Sequence, residues 1–427
     1  MSTTNQNPVT RRSAIIGFSL GTLFFGYAFI QRVAPSIMTN ELMRDFAVGG
    51  AALGSLSAFY FYAYASIQLP VGILTDRYGP RKLMSFAAAL CALASVGFAL
   101  SDSLVTASIG RGFIGATVAF AFVGTLAIAG HWFKPAQYAM LAGILQTVGM
   151  AGAIFGQAPL RYVVESVGWR GMMGILAVLA LLLSALLFVL VPQRSQAQRK
   201  VETRSSVLDG VRLAASNPQT WLCALIGFGL ASIMLGFGAL WAVPWLSTVH
   251  GYSTTEAAGI ASMLFVGWAV FSPLVGWMSD RIGRRNPIMI FGSMICLIAF
   301  AATIFIAPTN TAILITLIFI TGIGGCTMTV CFSSVKEHNS LNCSSTALGL
   351  MNMCVVGSGA VMQPLIGWLL DLNWAGTMID GVRVYSIDTY TIALSSLLVV
   401  TAGAFIGALL LRETWCRQVG FRGSFAA

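Results

Sequence analysis

Two arginines stand where a charge is costly. Arg32 lies in the first long apolar stretch of the chain and Arg111 in the fourth. An arginine at mid-bilayer costs about 2.5–3.5 kcal/mol to insert, so such residues face a cavity or a partner. No acid occurs at comparable depth in that half of the chain. Two guanidiniums without counter-charges in a watered cavity would form an anion site, because each offers a flat fork of N–H donors that fits a carboxylate or phosphate. Gln31 beside Arg32, Gln157 in the fifth stretch, Asn352 in the eleventh and Trp241 in the seventh are the side chains that could complete it.

A second constellation is a short charged turn that occurs twice. Gly72-Ile73-Leu74-Thr75-Asp76-Arg77-Tyr78-Gly79-Pro80-Arg81-Lys82 is echoed 204 positions later by Gly276-Trp277-Met278-Ser279-Asp280-Arg281-Ile282-Gly283-Arg284-Arg285. Each copy ends an apolar stretch. Gly72 lets a neighbouring helix come close, and Gly79 permits the positive φ of a tight reversal. Asp76 and Asp280 fall where a carboxylate can meet the positive end of another helix, and the flanking basic residues can pair with it or with lipid phosphate.

The elements that must hold these residues follow from composition. Of 427 residues, 57% are hydrophobic and only 9% charged, with mean hydropathy +0.82. Apolar runs of spanning length recur near 13–37, 50–74, 83–101, 104–129, 139–163, 170–191, 219–246, 256–278, 287–307, 310–334, 346–370 and 389–411. This predicts an all-α polytopic membrane protein of twelve transmembrane helices. The doubled turn divides them into two pseudo-symmetric six-helix bundles. The expected division is a tail at 1–12, a bundle at 13–191, a polar connection at 192–218, a second bundle at 219–411 and a tail at 412–427. A short interfacial helix is expected near Ser206–Ala215 in the connection.

The net charge of +10 reads as topology. With both termini inside, the inner segments carry eighteen basic residues against six acidic ones, and the outer segments four against eight. Lys/Arg bias of this kind orients membrane proteins, so both termini are expected to be cytoplasmic and no nucleic-acid partner is implied. None of the eight cysteines falls in an outer segment, which leaves no disulfide framework. His131, His250 and His338 are scattered, and Cys343 near His338 lacks further ligands, so no metal site, cofactor or catalytic group is expected.

The turn Gly-x-Leu-x-Asp-Arg-x-Gly-x-Arg-Lys, doubled across six-plus-six spans, resembles the major facilitator superfamily. The resemblance covers essentially the whole chain. It implies that spans one, four, seven and ten line a central path, which puts Arg32 and Arg111 on path-lining helices. It implies that Gly72, Asp76, Arg77, Gly79, Arg81, Asp280 and Arg281 latch the two halves on the cytoplasmic side. The segments Gln31-Arg32-Val33-Ala34-Pro35-Ser36 and Arg111-Gly112-Phe113-Ile114-Gly115 are similar to those of the organic anion:cation symporter branch. Gln31 and Val118 stand where that branch places acids implicated in proton coupling. The implied function is secondary active transport of a small organic anion by alternating access, with a proton or another cation as coupling partner. Such a carrier would be a monomer in a bacterial inner membrane or a specialised internal membrane. Rival readings are a carrier of iron or metal chelates or of amino-acid-like solutes, and a transport-inactive ligand sensor. The turn kept in both halves and the short inner loops favour transport over sensing. The missing nucleophile–base pairs argue against an enzyme.

Overall fold

A computed structural model of the chain describes residues 11–133, 137–192, 207–340 and 343–419. Residues 1–10, 193–206 and 420–427, which belong to the two tails and the central connection, lie outside the described residues.

The first half is built from α1 (Arg11–Val33), a 3₁₀ turn (Ala34–Ile37), α2 (Thr39–Asp45), α3 (Gly50–Tyr78), α4 (Pro80–Ala99), α5 (Leu104–Trp132), α6 (Tyr138–Phe155) and α7 (Ala158–Leu190). A short helix, α8 (Val207–Ser216), occupies the connection close to where the sequence places one. The second half follows as α9 (Pro218–Ser232), a π-helical segment (Ile233–Trp241), α10 (Ala242–His250), α11 (Thr254–Ile282), α12 (Asn286–Phe305), α13 (Thr311–Cys326), α14 (Met328–His338), α15 (Ser344–Leu372) and α16 (Ile387–Leu410). A two-stranded hairpin, β1 (Met378–Ile379) with β2 (Val382–Arg383), joins the last two helices. Among the described residues ten spans are long and apolar enough to cross a membrane. The pair α2–α3, bent by 112°, supplies an eleventh, and the shorter apolar helix Met140–Phe155 completes the twelve.

The ends of these helices obey simple chemistry. The side chains of Ser103, Ser253, Asn310 and Ser386 accept the exposed N–H groups at the starts of α5, α11, α13 and α16. Gly79 (φ +83°) ends α3, so the first charged turn reverses on the glycine that the sequence predicts, and the second reverses on the matching Gly283 (φ +70°) after α11.

The two halves repeat one packing scheme. In the first, α3 packs on α5, α4 on α7 and α1 on α6. The matching pairs in the second are α11 on α13, α12 on α16 and α9 on α15. Backbone contacts repeat too. A Cβ on Gly115 would lie 2.1 Å from the Tyr60 carbonyl oxygen, and one on Gly322 would lie 2.2 Å from that of Leu264. Small residues let membrane helices approach this closely. The halves meet along α3 against α15 and α6 against α11.

Two spans depart from the continuous helices that hydropathy suggests. The fifth breaks at Gly156–Gln157, where Pro159 starts the new helix α7 and has no N–H to continue the old one. After Gly168 (φ +73°) the same helix turns and becomes the sixth span. The seventh runs as a π-helix over Ile233–Trp241, and side chains from the break in the fifth span and from α15 meet its carbonyls.

Candidate functional site

The end of α1 brings the two arginines together and gives them different tasks. Pro35 has no N–H, so the carbonyl four residues earlier, that of Gln31, has no helical donor. Arg111, reaching across from α5, fills that gap. It donates to the Gln31 carbonyl at 2.6 Å and to the Arg32 carbonyl at 3.2 Å. A guanidinium there also meets the negative end of the α1 dipole. Arg111 is 1% exposed, and its charge lies 4.8 Å from the centroid of the Tyr60 ring.

Arg32 has a different surrounding. Its guanidinium carbon lies 4.2 Å from the Phe29 ring centroid, 5.4 Å from that of Tyr64 and 5.8 Å from that of Tyr60. Three ring faces hold the cation without neutralising it. Among the described residues neither arginine makes an ion pair, and the Nε of each is buried without a hydrogen-bond partner. The Tyr60 hydroxyl donates to the Ala28 carbonyl at 3.1 Å, which fixes the ring that both cations face.

The other expected site residues disperse. Gln31 turns into the interior of the first half, where its amide donates to the Tyr27 hydroxyl at 2.6 Å and the Ser95 hydroxyl at 3.0 Å. Neighbours along the chain, Gln31 and Arg32 thus serve different surroundings. Gln157 lies between the halves, accepting from Ser36 at 3.4 Å and donating to the Gly238 carbonyl of the π segment at 3.3 Å. Trp241 ends that segment, and its indole N–H donates to the Gln363 carbonyl at 3.1 Å. The Gln363 amide in turn donates to the Leu235 carbonyl at 2.7 Å. Asn352 is half-buried on α15 and makes no hydrogen bond among the described residues. It stands eleven residues before Gln363, roughly 16 Å along the helix.

Several charged-turn residues have described contacts within their own half. Arg77 lies over Tyr78 and Arg81 over Phe188, while Arg281 lies over Trp277. Asp280 pairs with Arg285 at 2.6 Å, and Arg285 also binds Glu337 at 2.7 Å. Burial works against the Arg285 charge, but Glu337 and Asp280 outweigh it and raise its pKa. Glu413, just past α16, accepts the backbone N–H groups of Arg285 and Asn286 at the start of α12. The surroundings of Gly72 and the side chain of Asp76 lie outside the described residues.

At the opposite end the sequence reading missed a cluster. Asp371, counted only among outer acids, receives the N–H groups of Gly50 and Ala51 across the interface. Beside it a cavity of about 320 Å³ opens between the halves, with Thr39, Arg44, Trp241, Ser247, Arg383 and Tyr385 among its walls. The signal that could have revealed it is an acid in the last turn of each of two helices that pack antiparallel, Asp76 in α3 and Asp371 in α15.

Twelve apolar helices in two matching halves, with hydrogen bonds spanning the cleft, define a multi-pass membrane transporter fold. The sequence profile described as Major Facilitator Superfamily matches residues 19–364, and the chain belongs to that superfamily. It is 25% identical over 293 residues to a probable nitrate/nitrite transporter NarK2 of Mycobacterium tuberculosis, covering 67% of this chain and 72% of that one. A probable sulfoacetate transporter SauU of Cupriavidus necator is 23% identical, over 82% of this chain and 85% of its own. A probable hexose phosphate transport protein of Chlamydia muridarum is 20% identical, over 64% and 66%. Among solved structures, a bacterial homolog of the human lysosomal transporter Spinster, inward-facing and unoccupied, superposes with a TM-score of 0.76 at 16% identity, covering 95% of this chain and 97% of that one. A D-xylose-proton symporter gives 0.72 at 16% identity, over 96% and 100%. The fold and the relatives are those of transporters and not of enzymes.

Proposed function

We propose that this protein moves a small organic anion across a membrane by alternating access, and that Arg32 is the residue that meets the anion. The observation that carries the reading is the Arg32 guanidinium, held by three aromatic rings and paired with no carboxylate among the described residues. A cation packed on ring faces keeps its in-plane N–H fork for an acceptor that arrives later. Three relatives named for nitrate or nitrite, sulfoacetate and hexose phosphate support an anionic passenger. Arg111 takes part by holding the end of α1 in place. Trp241, Gln157 and Asn352 are the further substrate-binding side chains in this reading.

In this reading residues 13–191 and 219–411 rock against each other, tethered by 192–218, with both termini in the cytoplasm of a bacterial cell and the protein working as a monomer. The charged turns form the cytoplasmic latch of the alternate state, in which Asp76 reaches the start of α15. Gln31 is committed to Tyr27 and Ser95 and Val118 is apolar, so neither offers a carboxylate for coupling to a proton.

The test is uptake into proteoliposomes of a panel comprising nitrate, sulfoacetate, simple monocarboxylates and a hexose phosphate, with and without an imposed pH gradient. At least one anion should accumulate, and Arg32→Gln should reduce its uptake at least about tenfold, the loss expected when a charge-assisted hydrogen bond to substrate is removed. Uptake unchanged in Arg32→Gln would overturn the assignment. A neutral or cationic solute as the only passenger would overturn the anion reading.

A further inference from the structure

The carboxylate of Asp371, in the last turn of α15, sits on the first turn of α3 in the other half. Its Oδ1 accepts the Gly50 N–H at 3.0 Å and its Oδ2 the Ala51 N–H at 2.8 Å. These are among the donors that every helix start leaves unsatisfied, and a carboxylate there also meets the positive end of the dipole. Two neighbours hold the acid in place. The Tyr385 hydroxyl donates to Oδ1 at 2.6 Å while accepting from the Gly50 N–H at 2.8 Å. Arg383 reaches Oδ1 at 3.1 Å with its guanidinium stacked over Trp374 at 4.4 Å. Burial and then the Asp371 charge raise the Tyr385 pKa, so the hydroxyl remains a donor.

The backbone has been cleared for this contact. A Cβ on Gly49 would lie 2.5 Å from Asp371 Oδ1, and one on Gly367 would lie 2.1 Å from the Gly50 carbonyl oxygen. Glycines on both helices therefore let the carboxylate and two backbones share one small volume. α3 and α15 run antiparallel, with Gly50 beside Gly367 and Gly54 beside Gln363, so Asp371 in the last turn of α15 stands opposite Gly50 at the start of α3.

We propose that Asp371 is a latch that holds the two halves shut at the end opposite the charged turns and must be released in each transport cycle. Its release and the closing of the charged-turn end are alternatives, because one rocking motion serves both. The proposal rests on alternating access and is independent of which solute is carried.

Hydrogen exchange of the full-length protein in lipid nanodiscs, without substrate, tests it. In Asp371→Asn, peptides covering 49–54 should exchange about tenfold faster, as expected for losing charge-assisted hydrogen bonds. Peptides covering 76–84 should become slower, because the population moves toward the state closed at the charged turns. Tyr385→Phe should move both regions the same way by about threefold. Faster exchange at 49–54 with no change at 76–84 would mean local fraying only and would overturn the latch. Wild-type exchange at 49–54 in both variants would overturn it as well. Peptides covering 285–293, in the network of Arg285, report whether a variant has folded; should Asp371→Asn lose protection there, Tyr385→Phe decides alone. Because no solute is present, failure here leaves the anion reading untouched, and failure of Arg32→Gln to alter uptake leaves the latch untouched.

Discussion

Arg32 and Arg111 are the same residue type, in the same half, facing the same Tyr60 ring, yet one is committed to backbone and the other is not. Arg111 spends its fork on the carbonyls of Gln31 and Arg32, replacing a donor that Pro35 cannot supply. The Arg32 guanidinium lies over the Phe29, Tyr60 and Tyr64 rings, and among the described residues it makes no ion pair. A charge inside a membrane bundle is therefore not one kind of object. When its donors meet orphaned carbonyls it acts as a structural cap. When its surroundings are aromatic its N–H fork is left for another acceptor, which is what the proposed anion site requires.

The comparison breaks most visibly in stability. Arg111→Gln removes the partner of two carbonyls at the end of α1 and should destabilise the protein by about 3 kcal/mol, in the range for breaking a buried charged contact. Thermal melting in detergent should show this as a clear drop in Tm. Arg111→Lys recovers charge but not the fork, and should fall between. If Arg111→Gln melted like wild type while losing uptake, Arg111 would be a second anion ligand and the contrast would collapse. Arg32→Gln should melt within about 1 kcal/mol of wild type, because no hydrogen bond to a carbonyl is lost. The transported anion should raise the Tm of wild type and leave that of Arg32→Gln unmoved. A retained ligand-induced shift would show that the anion is held elsewhere.

Much of the fold could be read in advance because hydropathy and the doubled turn are local signals. Gly79 and Gly283 reverse the chain where the repeat places them. What hydropathy could not show is where a span stops being a plain α-helix. The π segment at Ile233–Trp241 meets the Gln157 side chain, from the break before α7, and the Gln363 side chain of α15, both far away in sequence. Pro159 hinted at the break in the fifth span, but proline inside α3, α11 and α15 leaves those helices continuous, so the residue alone does not decide. The residue types of the site were legible in the sequence, whereas the contacts of each side chain were not. Gln31 turns away from Arg32 because adjacent residues on a helix point about 100° apart. Arg111 could have been recognised as a cap by counting back four residues from Pro35 to an unsatisfied carbonyl. Asp371 needed the antiparallel pairing of α3 with α15, which is a fact of topology and not of local sequence.

The finest separation between the two arginines lies at the ring they share. Tyr60 is 4.8 Å from the Arg111 charge and 5.8 Å from that of Arg32, and its hydroxyl is tied to the Ala28 carbonyl. Tyr60→Phe keeps the ring and removes that tie, so it should cost about 1 kcal/mol, the net worth of one ordinary hydrogen bond. Uptake should stay within about twofold of wild type, because both cation–π contacts survive. Tyr60→Leu removes the face from both cations at once. Since Arg111 keeps its two carbonyls and Arg32 keeps Phe29 and Tyr64, neither charge is released, and the effect should be a modest fall in Tm with a larger relative change in apparent affinity. Paired with Arg32→Gln in a double-mutant cycle, Tyr60→Leu should show coupling in uptake and little coupling in Tm. Coupling in Tm as strong as that in uptake would place Arg32 in the same structural role as Arg111.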